Sequence, residues 1–280
     1  MPRRLEVDIS DTLASALDER ARTSGQSTAH IVQAALAESL DVEHHSIFQV
    51  STSGAIVEGL YQGCVSVADL RTHGDVGLGT FEDLDGEMIL IDGRCYQARS
   101  DGTVTEAADA ALTPFATVVN FAPDATAELA GIASFADLTA SMDALRSSQN
   151  GIISFLASGT FSSIRVRTAC RTSSGVDLVA ATANQQLFDF HDIAGTLVGF
   201  WFPEYTKSIA IAGYHVHFIS DDRRHGGHVL DLSASGLDLE INDVNDVRLA
   251  IPETAAFLQA DLSGDHTAAL DVAERGQRGR

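Results

Sequence analysis

The chain has 280 residues, 45% of them hydrophobic and 20% charged, the balance of a folded globular protein rather than a disordered one. Its 18 lysines and arginines face 39 aspartates and glutamates, a net charge of −21, so the surface repels phosphate backbones and nucleic acid is an unexpected partner. An anionic substrate meets the same field, so a site for one needs its own positive charge, from a metal or an arginine.

Cys64, Cys95 and Cys170 are too few and too far apart for a disulfide framework or a thiolate zinc site, and read as reduced structural thiols. No apolar signal core follows the first residues and no apolar run approaches the length of a membrane span. The expectation is a cytoplasmic protein without a membrane partner.

Leu5, Val7 and Ile9 alternate with Arg4, Glu6 and Asp8, which is the period of a strand. Ser10 or Asp11 then offers an N-cap, Leu13, Ala16, Leu17 and Ala21 follow at helical spacing, and Gly25 ends the run. Ser27 caps a second helix striped by Ile31, Ala34, Ala35, Ala37 and Leu40. This strand-helix-helix arm, residues 1–42, resembles the ribbon-helix-helix modules of small bacterial repressors. The resemblance implies two copies that pair their strands and interlock their helices, hence a homodimer. Such modules read DNA with the outward side chains of the strand. Here those include Glu6 and Asp8 beside Arg4, and residues 1–41 hold four arginines against seven carboxylates, so the arm is expected to dimerise rather than to bind DNA.

The acidic stretch 41–46 reads as a linker. From residue 47 to 262, short β-branched and aromatic runs are broken by Gly, Asp and Asn, with strands expected at 88–91, 115–121, 163–167, 196–200, 214–219 and 228–232. Helices are expected at 53–61, 66–72, 134–147 and 254–258. The class is therefore α+β: a β-rich body of mixed or antiparallel sheets with a few helices, plus the small arm.

Residues 73–81, His-Gly-Asp-Val-Gly-Leu-Gly-Thr-Phe, do not fit a dinucleotide fingerprint and are expected to form a tight glycine loop with its backbone close to a site. Glu87 follows an Asp-Gly turn and opens an apolar strand. Burial there would fit it for proton transfer, the bland reading being a solvated turn carboxylate. Arg165 and Arg167 lie two apart on a strand and share a face, so one can clamp a substrate carboxylate, unless both are solvated.

His215 and His217 lie at i and i+2 of a strand, so both rings point the same way. A turn rich in Asp, Arg, His and Gly follows at 220–227, and His228 then restarts a strand that can return beside them, with His225 left as a loop residue. Three neutral imidazoles suit zinc, and also iron, copper or nickel, and the lack of clustered thiolates favours an open catalytic site over a closed structural one.

Residues 48–52 (Phe-Gln-Val-Ser-Thr), 60–63 (Leu-Tyr-Gln-Gly), 74–81, 84–89 (Leu-Asp-Gly-Glu-Met-Ile), 195–201 (Gly-Thr-Leu-Val-Gly-Phe-Trp), 213–219 and 226–231 (Gly-Gly-His-Val-Leu-Asp) together resemble the alpha-acetolactate decarboxylase family, over residues 47–276. The resemblance implies zinc, or another divalent metal, on His215, His217 and His228, with Glu87 and Arg167 as catalytic groups and Thr80 lining the site. It also implies a tail glutamate near the metal, matched by spacing to Glu274. The substrate implied is 2-acetolactate, a 2-hydroxy-3-keto acid, converted to acetoin and carbon dioxide with the metal as electron sink through an enediolate. Two other readings stand beside it. One is a cupin-like metal or ligand-binding protein with Asp221 as a carboxylate ligand, and the other a DNA-binding regulator acting through the arm.

Overall fold

The computed structural model describes residues 5–40, 45–146 and 148–275. What the sequence led one to expect of residues 1–4, 41–44, 147 and 276 lies outside them. Helices α1 (Asp11–Ser24) and α2 (Thr28–Leu40) form where expected: Ser10 accepts the Leu13 N–H, and Gly25 closes α1 in the left-handed conformation. The strand expected at 5–9 does not form. Its alternation is present, but among the described residues no strand lies in ladder register with it, and a strand is defined by its ladder. The linker is also shorter than expected, because His45 is buried and Ser46 already opens a strand.

The body runs β1 (Ser46–Val50), α3 (Ser53–Val57), β2 (Val65–Ser66), α4 (Val67–Arg71), β3 (Val76–Thr80), β4 (Glu87–Ile91), β5 (Arg94–Ala98), β6 (Val104–Glu106), β7 (Leu112–Thr113), β8 (Phe115–Val119), β9 (Ala125–Ile132) and α5 (Phe135–Leu145). It continues with β10 (Ile152–Thr168), α6 (Leu178–Thr182), β11 (Gln186–Phe202), β12 (Gly213–Ser220), β13 (Gly226–Val244), β14 (Asp246–Ala250), α7 (Ala255–Gln259) and α8 (Thr267–Arg275). Thr52, Ser66, Ser134 and Thr254 cap α3, α4, α5 and α7 with their hydroxyls, so local cap chemistry sets these starts.

One sheet has the order β14-β1-β8-β3-β4-β5-β6, antiparallel except where β1 meets β14. The other has the order β10-β11-β12-β13-β9, and β10 also pairs with β13, closing the sheet on itself. This is the α+β class expected. Ile47, Leu78 and Ile89 of the first sheet pack against Val198, Phe200 and Ile219 of the second, each such side chain contributing roughly 1.5–3 kcal/mol by its burial. The site lies where these sheets meet.

The glycine-rich segment is not a loop. It is the buried central strand β3, and its glycines lie against β8: a Cβ at Gly77 would sit 2.5 Å from the Thr117 carbonyl oxygen. The close approach that Gly77 signals is to a neighbouring strand, while Gly79 and Thr80 at the end of β3 also line the cavity of the site. The three cysteines are free, and among the described residues no helix is long and apolar enough to cross a membrane.

Candidate metal and substrate site

The antiparallel register of β12 and β13 sets His228 directly opposite His217, and the register of β13 with β10 sets Arg167 opposite His228. Three adjacent strands thus bring His217, His228 and Arg167 into one row, with His215 two residues along β12 from His217. The hairpin closes tightly because Gly227, at φ 151°, lets β13 approach β10, where a Cβ would lie 2.7 Å from the Arg167 carbonyl oxygen.

All three imidazoles are buried, and one ring nitrogen from each lies within 4.8 Å of the others. His217 Nδ1 is 2.8 Å from the Met88 carbonyl oxygen, which fixes that nitrogen as the donor and leaves Nε2 with its lone pair. That Nε2 is buried without a partner among the described residues, as is Nδ1 of His228. Orphaned buried ring nitrogens are costly in a finished core. Here they are lone-pair donors within reach of one another, which fits a divalent metal. The rings are also held neutral, as ligands must be. Burial, with the charge of Arg167 behind it, pushes His215 down to about 3, and burial pushes His217 down to about 3 against the pull of Glu87. Burial followed by Arg167 holds His228 well below the ordinary value of 6.5.

Glu87 opens β4 and is buried. Its Oε1 accepts the Ala169 N–H at 3.1 Å and lies 3.5 Å from Arg167 Nη1, and its Oε2 is 3.6 Å from His217 Nε2. Glu274, on α8, reaches the same centre: one oxygen is 3.5 Å from His228 Nε2 and 3.7 Å from His215 Nε2, the other 3.6 Å from Arg167 Nη2. Burial raises the Glu274 carboxyl above the usual range, and Arg167 opposes it. Thr80, opposite Glu87 in the ladder, donates to the Gly86 carbonyl at 2.8 Å and so braces the turn before Glu87.

Thr80, Glu87, Arg167, His215 and Glu274 line a cavity of about 50 Å³, room for roughly four water-sized groups. Every residue singled out by the sequence for the site is therefore in one place, but Arg165 is not. It shares a strand with Arg167, yet it is exposed and paired with Asp189, whereas at Arg167 the strand has run beneath β4 and α8. Asp221, the carboxylate of the cupin-like reading, lies exposed in the turn after β12 and outside the histidine cluster.

The family model described as alpha-acetolactate decarboxylase matches residues 47–264. The chain belongs to the alpha-acetolactate decarboxylase family. It is 40% identical over 233 residues to the alpha-acetolactate decarboxylase of Methylococcus capsulatus, covering 83% of this chain and 90% of that one. It is 35% identical over 237 residues to that of Bacillus licheniformis, covering 84% and 94%. The crystal structure of alpha-acetolactate decarboxylase from Bacillus subtilis strain 168 superposes with a TM-score of 0.79 at 33% identity, over 83% of this chain and all of that one. The arm and α8 fall outside the residues that the family model matches. Sequence reasoning missed α8 as a helix, though an Asx turn just before it, in which Asp265 accepts the Thr267 N–H at 3.0 Å, and apolar residues at 270 and 273 were its local signals.

Proposed function

We propose that the chain decarboxylates 2-acetolactate to acetoin and carbon dioxide with a divalent metal, zinc fitting best, held by His215, His217 and His228. The observation that carries this reading is the set of three buried, neutral imidazoles, two with orphaned nitrogens, beside one arginine at a cavity that His215 lines. When bound, the metal supplies Lewis acidity that draws electrons from the keto acid as carbon dioxide leaves. Arg167 meets the substrate's charge. Its Nε is a buried donor without a partner among the described residues, so it is left over to bind the carboxylate, and the guanidinium then faces the enediolate that decarboxylation leaves. Glu87, held by the Ala169 N–H, takes up a proton from solvent water and delivers it to the enediolate carbon, and so sets the handedness of acetoin. Ile56, Leu84, Phe115, Leu178 and Leu270 form the apolar wall that accepts the methyl groups. With neutral imidazoles the charged side chains lining the cavity are two carboxylates and one guanidinium, so a dication is what turns the local field positive against a net charge of −21.

Metal analysis combined with an acetoin assay tests this. About one divalent ion per chain, acetoin formed from 2-acetolactate, loss of activity to a chelator and recovery with zinc are expected. No acetoin from fully loaded protein ends the reading. Three free cysteines favour a cytoplasmic setting.

We further propose that residues 1–42 join two copies of the chain. Neither α1 nor α2 buries a residue, Val32, Leu36 and Leu40 form an exposed stripe at i, i+4 and i+8, and Leu5, Val7 and Ile9 are exposed beside them. A second copy suits this face. Antiparallel self-pairing of residues 4–8 about Glu6 sets Leu5 against Val7 and Arg4 against Asp8 twice, which outweighs the single Glu6 pair. Light scattering on the full chain should give a dimer, and Val32→Glu with Leu36→Glu should give a monomer of unchanged decarboxylase activity. A monomeric wild type removes the proposal.

A further inference from the structure

The C-terminal helix α8 supplies Glu274 and Leu270 to the cavity, and its attachment to the body is unusual. The segment between α7 and α8 is largely exposed, and the hydrogen bonds of its side chains stay within the tail: Asp261 accepts from Ser263, and Asp265 from Thr267. His266 is where the tail is tied down. Its Nδ1 lies 3.4 Å from Glu58 Oε1, just past the end of α3, and its ring lies so close over Gly54 that a Cβ there would come within 2.8 Å of Cδ2. Its Nε2 is buried without a partner among the described residues, so the ring is seated by shape and by its approach to Glu58.

From His266, whose carbonyl accepts the Leu270 N–H, eight residues of helix at ~1.5 Å each carry the chain about 12 Å to Glu274. Along the way Leu270 and Ala273 enter the apolar cluster with Ile56, Leu178 and Ala181. At the far end the Glu274 carbonyl lies 3.1 Å from His228 Nε2. The helix is thus held at one end by His266 and at the other by the site itself.

We propose that α8 is a hinged strap over the cavity and that His266 is the positioning residue that latches it, with Gly54 as the seat and Glu58 as the catch. The latch decides how long Leu270 and Glu274 stay in place. Its consequence for turnover rests on the decarboxylase reading; its consequence for the strap does not. Gly54 is small for the ring's sake, since α3 turns normally there without a left-handed φ.

Hydrogen exchange on the metal-loaded full chain tests this with Gly54→Ala, which expels the ring with one methyl group, and His266→Ala, which removes it. In both variants the amides of α8 should exchange about fivefold faster, the size expected on losing one ordinary side-chain contact, while β10 and β13 stay unchanged. Zinc should pass to a chelator faster, and KM for 2-acetolactate should rise several-fold with kcat nearly constant. His266→Gln, which keeps a planar polar side chain facing Glu58, should fall between wild type and alanine. The latch is overturned if α8 exchange matches wild type in both variants, or if it rises together with exchange in β10 and β13, which marks general loosening. A wild type that makes no acetoin would defeat the functional reading alone, since the exchange data still decide the strap.

Discussion

His228→Ala is expected to lose its metal and to form acetoin about 10³-fold more slowly, because Lewis acid assistance worth several kcal/mol goes with the ion. Two imidazoles on one strand remain, His215 and His217, but the third corner of the cluster is supplied only by the register that sets residue 228 opposite His217. The backbone of that register does not depend on the ring. The β12–β13 pairing should therefore survive, and the variant's melting in the presence of chelator should resemble that of metal-free wild type. Metal content by mass spectrometry and acetoin formation are read side by side. Asp221→Ala, at an exposed turn position, should keep both near wild type. The opposite pattern, metal kept without His228 and lost without Asp221, would hand the site to a carboxylate-ligated binding protein.

The imidazole trio was legible because two local rules produce it: side chains at i and i+2 share a strand face, and a glycine-rich turn returns the next strand beside the last. Arg167 was legible from the residues only as one of two equals. What separates it from Arg165 is that the strand passes under Glu87 and Glu274 at its end, a fact of tertiary packing. Residues 73–81 were rightly read as lying close to the site but read as a loop for a related reason. Glycine spacing announces a close approach, but at Gly77 the approaching group is the β8 backbone. The arm's helices were legible to their caps, whereas the alternation at 5–9 is not matched by a strand among the described residues, since a two-residue period makes a ladder only beside a partner. The long strands β10, β11 and β13 were seen only as fragments: in β11 the exposed start carries no apolar run to mark it, whereas in β10 the largely buried run 152–157 was legible and was passed over.

Glu87→Gln is expected to lower kcat about 10²- to 10³-fold, the range of a positioned proton donor, while KM moves little and metal content stays at wild type. Glutamine keeps the size of the side chain and an oxygen to accept the Ala169 N–H, so the local fold is retained. Arg167 does not become a lone buried cation either, because Glu274 remains 3.6 Å away. Arg167→Met is different in kind. It strands two buried carboxylates without their guanidinium, so it should cost about 3–5 kcal/mol of stability as well as activity, visible as a lower melting temperature that Glu87→Gln does not share. The acetoin that Glu87→Gln still forms should be closer to racemic, since protonation of the enediolate would then come from solvent on either face. Wild-type kcat and wild-type handedness in Glu87→Gln would remove the glutamate from proton transfer and leave Arg167 as the remaining protein group at the reacting carbon.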